Sequence, residues 1–334
     1  MQNWTISIIK LELKFDWKIS RNTSRFKENF IIKVEDTEFG NFGHGEVAFN
    51  IRYNESKEKV LDGFTFFCDL FGKKNPFNHN GLKWLDETSE LCHSLKMGIN
   101  QAFVNLKIKQ SKNSNIACYL GVSVPQSLQT SFSIPIIDKN EVSKFLIDNN
   151  LSKKPFLKLK INGSESISLL NQLLKHYNGK IRIDANEGFH SANEVLFFLD
   201  SIKDLSRIEF IEQPLSSLKN IEMKKIKGKC DVPFIADESI TSNENIASLA
   251  EFFDGVNIKL MKSGTLNNAT SQLKTAKDNN LKTMLGCMIE TSLGISFAYA
   301  LGENVDYIDL DGFLLLKNDP FNLLTELDGR ISLI

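Results

Sequence analysis

The chain has 334 residues, enough for two domains or for one barrel with an added domain. Hydrophobic residues make up 42% and charged residues 24%, the proportions of an ordinary globular protein. The 40 basic and 41 acidic residues are interspersed and leave a net charge of −1, which argues against a nucleic-acid partner and a polybasic membrane-binding surface.

The cysteines and the apolar runs bear on the cellular compartment. None of the five cysteines forms a Cys-x-x-Cys pair, so we expect neither a disulfide framework nor a structural zinc site. The first residues alternate like a strand, and no apolar run reaches about 18 residues, so we expect no signal peptide and no membrane span. A reducing cytoplasm fits these features best.

The chain begins with an α+β pattern over residues 1–114. Alternating apolar residues predict two strands of an antiparallel sheet, at 4–15 and 29–38. Residues 18–28 between them are polar and predict a loop.

A glycine-rich segment, residues 39–46, has two interpretations. A phosphate-binding turn would need a helix N-terminus directly behind it. Residues 47–53 look extended instead, so a loop or lid is the better interpretation. Helical spacing of apolar residues then follows at 55–71 and 81–98.

From residue 115 to residue 315 strand-like runs alternate with helical stretches. The strand-like runs include 156–161, 181–186, 208–214, 234–239, 256–260 and 307–312. The helical stretches are 164–177, 191–203, 217–228, 242–252 and 265–279. Polar residues mark the strand ends roughly every 25 residues, which is the length that a strand, a helix and two loops need in a barrel. The spacing predicts a closed barrel rather than an open doubly wound sheet.

Three carboxylates stand at successive strand ends, Asp184, Glu212 and Asp237. Such hard oxygen ligands without His or Cys suit Mg²⁺ or Mn²⁺ rather than zinc. A single Asp there would be read as a helix cap or a surface charge, but three in register favour a metal site. Glu209 and Glu238 point to other faces of their strands, which suits supporting roles.

Lys158 and Lys160 share one face of a strand that enters the barrel mouth. Two adjacent ammonium groups repel, so we expect at least one lysine pKa to be depressed, as a base at neutral pH requires. Two solvated lysines would fit the spacing equally well. Lys259 is expected across the barrel from Lys160, where a second base could act on the other face of a substrate carbon.

Asp309 and Asp311 form a second acidic pair, at the last strand end. Such a pair could hold a cationic group such as a substrate ammonium. A capping pair before the Gly312 turn is the alternative, and it is preferred without the rest of the pattern.

Taken together, these motifs resemble the enolase superfamily, and within it the dipeptide epimerases of the muconate-lactonizing-type subgroup. The motifs are Lys158-Leu-Lys160, Asp184-Ala-Asn186, Glu212-Gln-Pro214, Ala236-Asp-Glu-Ser239, Asn257-Ile-Lys-Leu-Met-Lys-Ser-Gly264, Cys287-Met-Ile-Glu290 and Asp309-Leu-Asp311. As an ordered set they are specific, and they extend over most of the chain. One departure is Ser263-Gly264-Thr265, where the family commonly has a glycine pair, and we expect only a local loop change there.

The resemblance implies an α/β fold, a (β/α)7β modified TIM barrel with an N-terminal α+β capping domain. The capping domain would be residues 1–114 and the barrel residues 115–315. Residues 316–334 would return to the capping domain. Segments 18–28 and 39–46 would be the capping loops that close over the substrate.

The resemblance also implies the chemistry. Mg²⁺, with Mn²⁺ as an alternative, would be held by Asp184, Glu212 and Asp237. The ion would bind the carboxylate of a dipeptide and stabilise the enolate formed when the α-proton leaves. Lys160 and Lys259 would be the opposed acid and base, while Lys158 would tune Lys160.

The remaining implied residues surround the dipeptide. Asp309 and Asp311 would bind its α-ammonium. The other implied substrate contacts are Asn186, Met288 and Glu290, and the implied supports of the metal site are Glu238 and Lys262. Arg21 and Arg25 either pair with a Glu side chain of the substrate, which would favour Ala-Glu, or are solvated loop residues.

The first hypothesis for function is therefore epimerisation of an L,L-dipeptide, L-Ala-L-Glu to L-Ala-D-Glu, in cell-wall peptide metabolism. A cycloisomerase or o-succinylbenzoate synthase-type lyase and an N-acylamino-acid racemase are alternatives on the same scaffold. The Asp309 and Asp311 pair argues against both, because their substrates have no ammonium to bind. A non-catalytic barrel would be expected to lack one of the two lysines. The expected partners are a small dipeptide and copies of the same chain, as a dimer or octamer, with no nucleic acid and no membrane.

Overall fold

The structure is a computed structural model, and it describes residues 2–19, 22–71, 81–111, 115–240 and 245–334. Three sheets organise these residues: a three-stranded antiparallel sheet near the N-terminus, an eight-stranded parallel sheet, and a small sheet that contains the last two strands. Within the described part of the chain, no helix has the length and apolar content to cross a membrane.

The N-terminal sheet contains β1 (Gln2–Ile19), β2 (Asn22–Asp36) and β3 (Phe42–Val47). Buried apolar side chains alternate along β2, at Phe30, Ile32 and Val34. They pack against the capping helices in a core separate from that of the barrel.

The predicted loop at residues 18–28 is wrong. The antiparallel pairing continues to Lys18 opposite Thr23 and Ile19 opposite Asn22, so most of this segment lies in β1 and β2. The physical reason is that the apolar alternation of β1 does not stop at residue 15 but runs on to Trp17, which packs against the barrel. Polar composition alone did not reveal a paired strand.

The prediction of a loop or lid at residues 39–46 is also wrong, because five of these residues, 42–46, lie in β3. Its glycines meet the helix α3 (His93–Gln110) at backbone distance. A Cβ atom at Gly43 would lie 2.1 Å from the Ala102 carbonyl oxygen, and one at Gly45 would lie 2.0 Å from that of Gly98. The glycines therefore serve close packing of strand on helix.

The capping helices differ in part from their predictions. Helix α1 (Lys57–Phe71) matches the predicted segment 55–71, and a 3-10 turn at Ile51–Tyr53 replaces the end of the extended run predicted at 47–53. The predicted helix at 81–98 is instead α2 (Gly81–Glu87) and the start of α3.

The break before α3 is fixed by a tertiary contact, because the carboxylate of Glu55 accepts a hydrogen bond from the Ser94 backbone N–H at 3.0 Å. A contact between residues this distant in the chain does not appear in the periodicity. A connecting segment then carries α4 (Ile116–Leu120) and the short strand β4 (Leu128–Gln129) to the barrel.

Eight parallel strands form the barrel, and strands that follow one another in the chain are neighbours in the sheet. They are β5 (Phe132–Ile134), β6 (Phe156–Lys160), β7 (Lys180–Asp184), β8 (Ile208–Glu212), β9 (Phe234–Ala236), β10 (Gly255–Lys259), β11 (Lys282–Gly286) and β12 (Tyr307–Asp309). A parallel bridge between Thr130 and Ile308 joins the two outer strands and closes the barrel. The short β5 had no counterpart among the predicted strands.

Helical segments fill each of the seven connections between these strands. They are α5 (Val142–Asp148), α6 (Ile167–His176), α7 (Ala192–Asp200), α8 (Asn220–Met223), α9 (Ile246–Leu249), the pair α10 (Leu260–Ser263) and α11 (Leu266–Asp278), and α12 (Ser292–Ala300). The (β/α)7β barrel with an N-terminal α+β domain is thereby confirmed. The helices predicted at 217–228 and 242–252 are each reduced to four residues, α8 and α9.

The last residues touch both parts of the molecule. Leu316 bridges Leu13 of β1, and the Lys317 N–H donates to the Glu12 carbonyl oxygen at 2.9 Å. Beyond them β13 (Leu324–Leu327) and β14 (Arg330–Leu333) form a hairpin that pairs with β4. The division of the chain at residues 114 and 315 stays a prediction.

Candidate active site

The parallel register sets the polar strand ends at one level. Lys160 on β6 is opposite Asp184 on β7, which in turn is opposite Glu212 on β8. Asp237 directly follows β9, and Lys259 is the last residue of β10. The carboxyl ends of the strands therefore bring together the residues that the motifs predicted.

The two predicted base residues lie on opposite sides of this mouth. Strands β6 and β10 are four positions apart in the closed eight-stranded sheet, which is half of its circumference. Lys160 Nζ lies 2.6 Å from Asp184 Oδ2, and Lys259 Nζ lies 2.8 Å from Asp237 Oδ2. A substrate carbon held between them would meet one lysine on each face.

Lys158 sits below the mouth, where it is 2% exposed. Its Nζ lies 2.7 Å from Glu212, 2.7 Å from Asp309 and 3.2 Å from Asp184. Burial alone would lower the pKa of Lys158, but these three carboxylates outweigh it and raise that pKa well above its usual value. Of the two lysines for which at least one depressed pKa was expected, Lys158 has a raised pKa instead, because nearby carboxylates and not a second ammonium dominate its surroundings.

Asp237 is bound by two lysines. Lys262 Nζ donates to Asp237 Oδ1 and to its carbonyl oxygen, each at 2.6 Å, while Lys259 binds Oδ2. Burial would raise the pKa of Asp237, but the two ammonium groups hold it below its usual range. Lys262 is thus placed to fix the orientation of this carboxylate.

The chemistry of the donor set fits a hard divalent cation. Buried oxygens at the mouth without a hydrogen-bond partner among the described residues include Glu212 Oε2, Glu238 Oε2 and Asn257 Oδ1. The first of these lies 2.7 Å from Lys158 Nζ, but the contact is an ion pair without hydrogen-bond geometry. Oxygens of this kind are those that Mg²⁺ binds.

The carboxylates nevertheless converge on ammonium groups in this structure. Among the described residues no three His, Cys, Asp or Glu side chains are grouped as a metal-binding set. Burial raises the pKa of Glu212 to about 7 and that of Glu238 to about 8. A bound cation would lower both pKa values and favour the ionised carboxylates.

Neighbouring side chains order these groups. Gln213 Oε1 accepts hydrogen bonds from the backbone N–H groups of Asp237 and Ser239, at 2.9 and 3.1 Å. Asn186 Nδ2 lies 3.5 Å from Glu238 Oε1, which places the predicted Asn186 at the mouth. Gln213 belongs to the Glu212-Gln-Pro214 motif, from which no role was predicted for it.

The acidic pair at β12 is held by residues of the first barrel strand. Ser131 Oγ donates to Asp309 Oδ1 at 2.5 Å, and the Ser133 backbone N–H donates to Asp311 Oδ2 at 2.6 Å. Burial and then the neighbouring Asp309 raise the pKa of Asp311 to about 7. Ser131 and Ser133 were missed because β5 is too short to give a periodic signal.

A buried arginine supports the same corner from below. Arg182 on β7 donates to Ser131 Oγ at 3.1 Å and to Glu209 Oε2 at 2.6 Å, and its guanidinium lies 4.5 Å from the centre of the Phe156 ring. Arg182 and Asp184 share one strand face, so alternation along β7 could have placed Arg182 inside the barrel.

The capping domain contributes Trp17 and the segment around the 50–53 turn to the mouth. Lys160 Nζ lies 5.8 Å from the centre of the Trp17 ring, and Lys262 Nζ lies 5.7 Å from that of Tyr53. Asn50 Nδ2 is 3.8 Å from the predicted contact residue Met288, at its Sδ. No motif or periodicity had assigned a role to Trp17, Asn50 or Tyr53.

Three other residues were predicted to contact the substrate: Arg21, Arg25 and Glu290. Arg25 is on β2 with an 81% exposed side chain, and its Nε pairs with Asp16 at 2.7 Å. Arg21 lies outside the described residues. Glu290 is buried beside Glu46 of β3, and its Oε1 accepts the Met288 backbone N–H at 2.9 Å.

Comparison with known proteins agrees with this geometry. Residues 152–322 match the family described as enolase C-terminal domain-like. The L-Ala-D/L-amino acid epimerase of Pedosphaera parvula is 32% identical over 96% of this chain and 93% of its own length. The hydrophobic dipeptide epimerase of a Flavobacteria bacterium is 34% identical over 95% of this chain and 91% of its own.

Among solved structures, an enolase family member from Agrobacterium tumefaciens with homology to dipeptide epimerases superposes with a TM-score of 0.89 and 26% identity. The alignment covers 100% of this chain and 98% of the other, whose structure contains sodium and L-Ala-L-Glu. The agreement of sequence over nearly the full length and of fold leads to one conclusion: the chain belongs to the enolase C-terminal domain-like family and, within it, to the dipeptide epimerases.

Proposed function

We propose that this chain is a Mg²⁺-dependent epimerase that inverts the α-carbon of the C-terminal residue of an L,L-dipeptide. The observation that carries the proposal is the pair Lys160 and Lys259, half a barrel apart at one level, with carboxylates between them. L-Ala-L-Glu is the first substrate that we assign, with L-Ala-D-Glu as its product.

The two lysines move the proton. One lysine, as the neutral amine, takes the α-proton and breaks the C–H bond. The other, as the ammonium, delivers its proton to the opposite face of the same carbon, so that one C–H bond is lost and one is formed. After one turnover the two lysines have exchanged protonation states, and proton exchange with solvent restores the original states.

The carboxylates at the strand ends would hold the metal ion. Asp184, Glu212 and Asp237 are the assigned ligands, and Lys262 and Gln213 fix Asp237 through the contacts described above. When bound, Mg²⁺ supplies positive charge that stabilises the enolate. Lys158 orders the same carboxylates from below.

The acidic pair at β12 would recognise the free amino terminus of the dipeptide. Asp309 already contacts Lys158 and Ser131, so we assign the direct contact with the ammonium to Asp311 and the ordering of that corner to Asp309. A bound ammonium would offset the burial that raises the pKa of Asp311. This recognition disfavours the cycloisomerase, lyase and acylamino-acid racemase alternatives, whose substrates carry no ammonium there.

The side chain of the second residue is a separate question within the same function. Arg25 is exposed and paired with Asp16, whereas the Trp17 ring lies near Lys160. Because relatives are named both for glutamate and for hydrophobic dipeptides, dipeptides with an apolar second residue join L-Ala-L-Glu in the assigned panel.

We place this function in the cytoplasm, supported by the five free cysteines, and in metabolism of cell-wall peptides. A dimer or octamer remains the expected assembly.

The deciding experiment is α-proton exchange in D₂O with Mg²⁺, followed by mass spectrometry over L-Ala-L-Glu and L,L-dipeptides with apolar or cationic second residues. We expect a gain of one deuteron and loss of optical purity at the second residue for a subset of the panel. Absence of exchange on every dipeptide, with Mg²⁺ shown by calorimetry to be bound, would overturn the proposal and favour the lyase alternative.

A further inference from the structure

One ion pair joins the capping domain to the barrel mouth. Arg52 lies on the 3-10 turn Ile51–Tyr53, and Glu187 lies three residues beyond Asp184 in the loop after β7. Arg52 Nη2 donates to Glu187 Oε1 at 2.7 Å and to Oε2 at 2.8 Å, while Nε donates to Oε2 at 3.1 Å. A guanidinium that engages both oxygens of one carboxylate fixes orientation as well as distance.

The pair also includes a third loop. Glu187 Oε1 accepts the Ser217 backbone N–H at 2.8 Å, and Arg52 Nη2 lies 3.3 Å from Ser217 Oγ. The side chain of Glu187 is 7% exposed and that of Arg52 is 35% exposed. Burial of this extent distinguishes the pair from ordinary surface ion pairs, which contribute little.

The backbone at Glu187 is held in an unusual conformation. Asn186 and Glu187 are consecutive non-glycine residues with positive φ, 43° and 64°. Such residues cost free energy and persist only where the surroundings hold them. The Glu187 N–H donates to the Gln213 carbonyl oxygen at 2.9 Å, and the turn directs the Glu187 carboxylate toward the capping domain.

The turn that Arg52 anchors forms part of the mouth. Tyr53 and Asn50, on either side of Ile51 and Arg52, face Lys262 and Met288. The base of the turn is fixed within the capping domain, because Glu55 Oε2 accepts the Asn50 backbone N–H at 3.1 Å. At its tip, the Arg52 backbone N–H donates to Asn50 Oδ1 at 3.0 Å within the turn, whereas the hydrogen bonds of the Arg52 side chain all cross to the barrel loops.

We propose that Arg52 and Glu187 are positioning residues of the epimerase: their ion pair holds the 50–53 turn over the barrel mouth. The dipeptide then meets a wall of Asn50 and Tyr53 that is already in place. This inference rests on the proposed function, but it concerns the cap and not the proton transfer. Without the pair, the turn spends part of its time away from the mouth, and the apparent affinity for substrate falls by the fraction of molecules that remain competent.

The test uses Arg52→Gln, Glu187→Gln and the reversed pair Arg52→Glu with Glu187→Arg, all in the full chain with Mg²⁺. In each single variant we expect the turn to lie over the mouth in about one tenth of the molecules, which raises KM about tenfold. We expect kcat to change by less than about twofold, because bound substrate holds the turn in place. The reversed pair is expected to recover part of the loss. Lys154→Gln is the matched control. It breaks a 2.6 Å ion pair between Lys154, just before β6, and Glu326, whose side chains are 10% and 15% exposed.

A second measurement does not depend on turnover. Amide hydrogen exchange of the peptide covering residues 48–56, without substrate, is expected to speed up in both single variants and to stay unchanged in Lys154→Gln. If exchange and KM both match those of the wild type, the positioning role is overturned. If wild-type protein turns over no dipeptide but the variants still loosen residues 48–56, the proposed function fails while the holding of the turn stands.

A different outcome would also overturn the proposal. If Arg52→Gln raises KM for acidic dipeptides alone and Glu187→Gln lowers it, Arg52 contacts the substrate side chain directly and Glu187 competes with it. The positioning role requires instead that both single variants weaken all substrates in the same direction.

Discussion

Lys160 and Lys259 differ in their surroundings although they occupy equivalent strand ends. Lys259 is 9% exposed and shares Asp237 with Lys262, while Lys160 pairs with Asp184 and lies near the Trp17 ring of the capping domain. Of the two proposed bases, Lys259 is therefore enclosed by the barrel and Lys160 lies beside the cap. Each can reach only the face of the substrate carbon that is turned toward it.

This geometry predicts a division of labour that single variants expose. In Lys160→Ala and in Lys259→Ala, epimerisation should fall by about 10²–10⁴-fold, because the proton cannot be returned to the second face. Each variant should still exchange the α-proton of one epimer with D₂O, and the two variants should act on opposite epimers. Mass spectrometry of separated L,L- and L,D-dipeptides measures this exchange.

The control for this prediction is Lys180→Ala, at the start of β7, whose ammonium donates to the Ser206 carbonyl oxygen on the outer part of the barrel. It should leave both activities intact. Exchange of the same epimer by both lysine variants would contradict the assignment of the two lysines to opposite faces.

At the scale of secondary-structure elements, β3 and α3 show how a glycine-rich segment can mislead. Gly43 and Gly45 lie in a paired strand, and the absence of their side chains lets the strand approach the helix backbone. In the sequence alone, the same glycine-rich segment suggests a loop or lid. The partner that requires the glycines, α3, lies more than fifty residues away.

Gly45→Ala should therefore affect stability more than activity. Its Cβ would lie 2.0 Å from the Gly98 carbonyl oxygen and 2.7 Å from the Ala102 backbone nitrogen, so strand and helix must separate. We expect the free energy of unfolding to fall by about 1–3 kcal/mol, the usual cost of overpacking, as measured by urea denaturation.

Gly40→Asn provides the comparison within the same segment. No atom lies within 4 Å of a Cβ at Gly40, and asparagine tolerates its φ of 69°. This variant should stay close to wild-type stability. A loss of activity without a loss of stability in Gly45→Ala would restore the interpretation as a lid.

At the scale of the whole molecule, the capping domain and the barrel meet at two buried carboxyl groups. Glu46 on β3 accepts the Thr291 hydroxyl at 2.6 Å, the Gly294 N–H at 3.2 Å and the Asn29 amide at 2.8 Å. Glu290 accepts one hydrogen bond, from the Met288 N–H. Burial raises the pKa of Glu46, and burial and then Glu46 raise the pKa of Glu290 to about 8. Because Glu46 accepts more hydrogen bonds, we assign the charge of the pair to Glu46.

The pair makes stability depend on pH in a stated direction. The pKa of Glu290 is higher in the folded chain than in the unfolded chain, so the folded state binds more protons between those values. The contribution of Glu290 to the free energy of unfolding is fully present below the pKa of the unfolded chain and is lost as the pH rises toward about 8. The free energy of unfolding falls by up to about 1.4 kcal/mol per pH unit over this range.

Glu290→Gln should flatten this loss between about pH 5 and pH 8, because its amide needs no proton. Chemical denaturation at a series of pH values measures the slope. Glu251→Gln, at an exposed carboxylate paired with Lys224, should keep the wild-type slope. Equal slopes in the wild type and in Glu290→Gln would contradict a neutral Glu290.

The residue pattern was enough to predict the barrel and the positions of three carboxylates and two lysines at its strand ends. These follow from local rules: strand ends recur at a regular spacing, side chains two apart share a face, and parallel strands align their carboxyl ends. Asp184, Glu212, Asp237, Lys160 and Lys259 therefore fall into place once the strands are recognised.

The extent of β1 and β2, the packing of Gly43 and Gly45, and the surroundings of each lysine depend on tertiary contacts and could not be predicted from the pattern. The repulsion between Lys158 and Lys160 does not set the pKa of Lys158, because three carboxylates from other strands surround it and raise that pKa. Likewise Arg52, Trp17 and Ser131 reach the mouth from elements distant in the chain. Contacts between distant residues leave no periodic trace, because their cause is the packing of one element on another and not the local backbone.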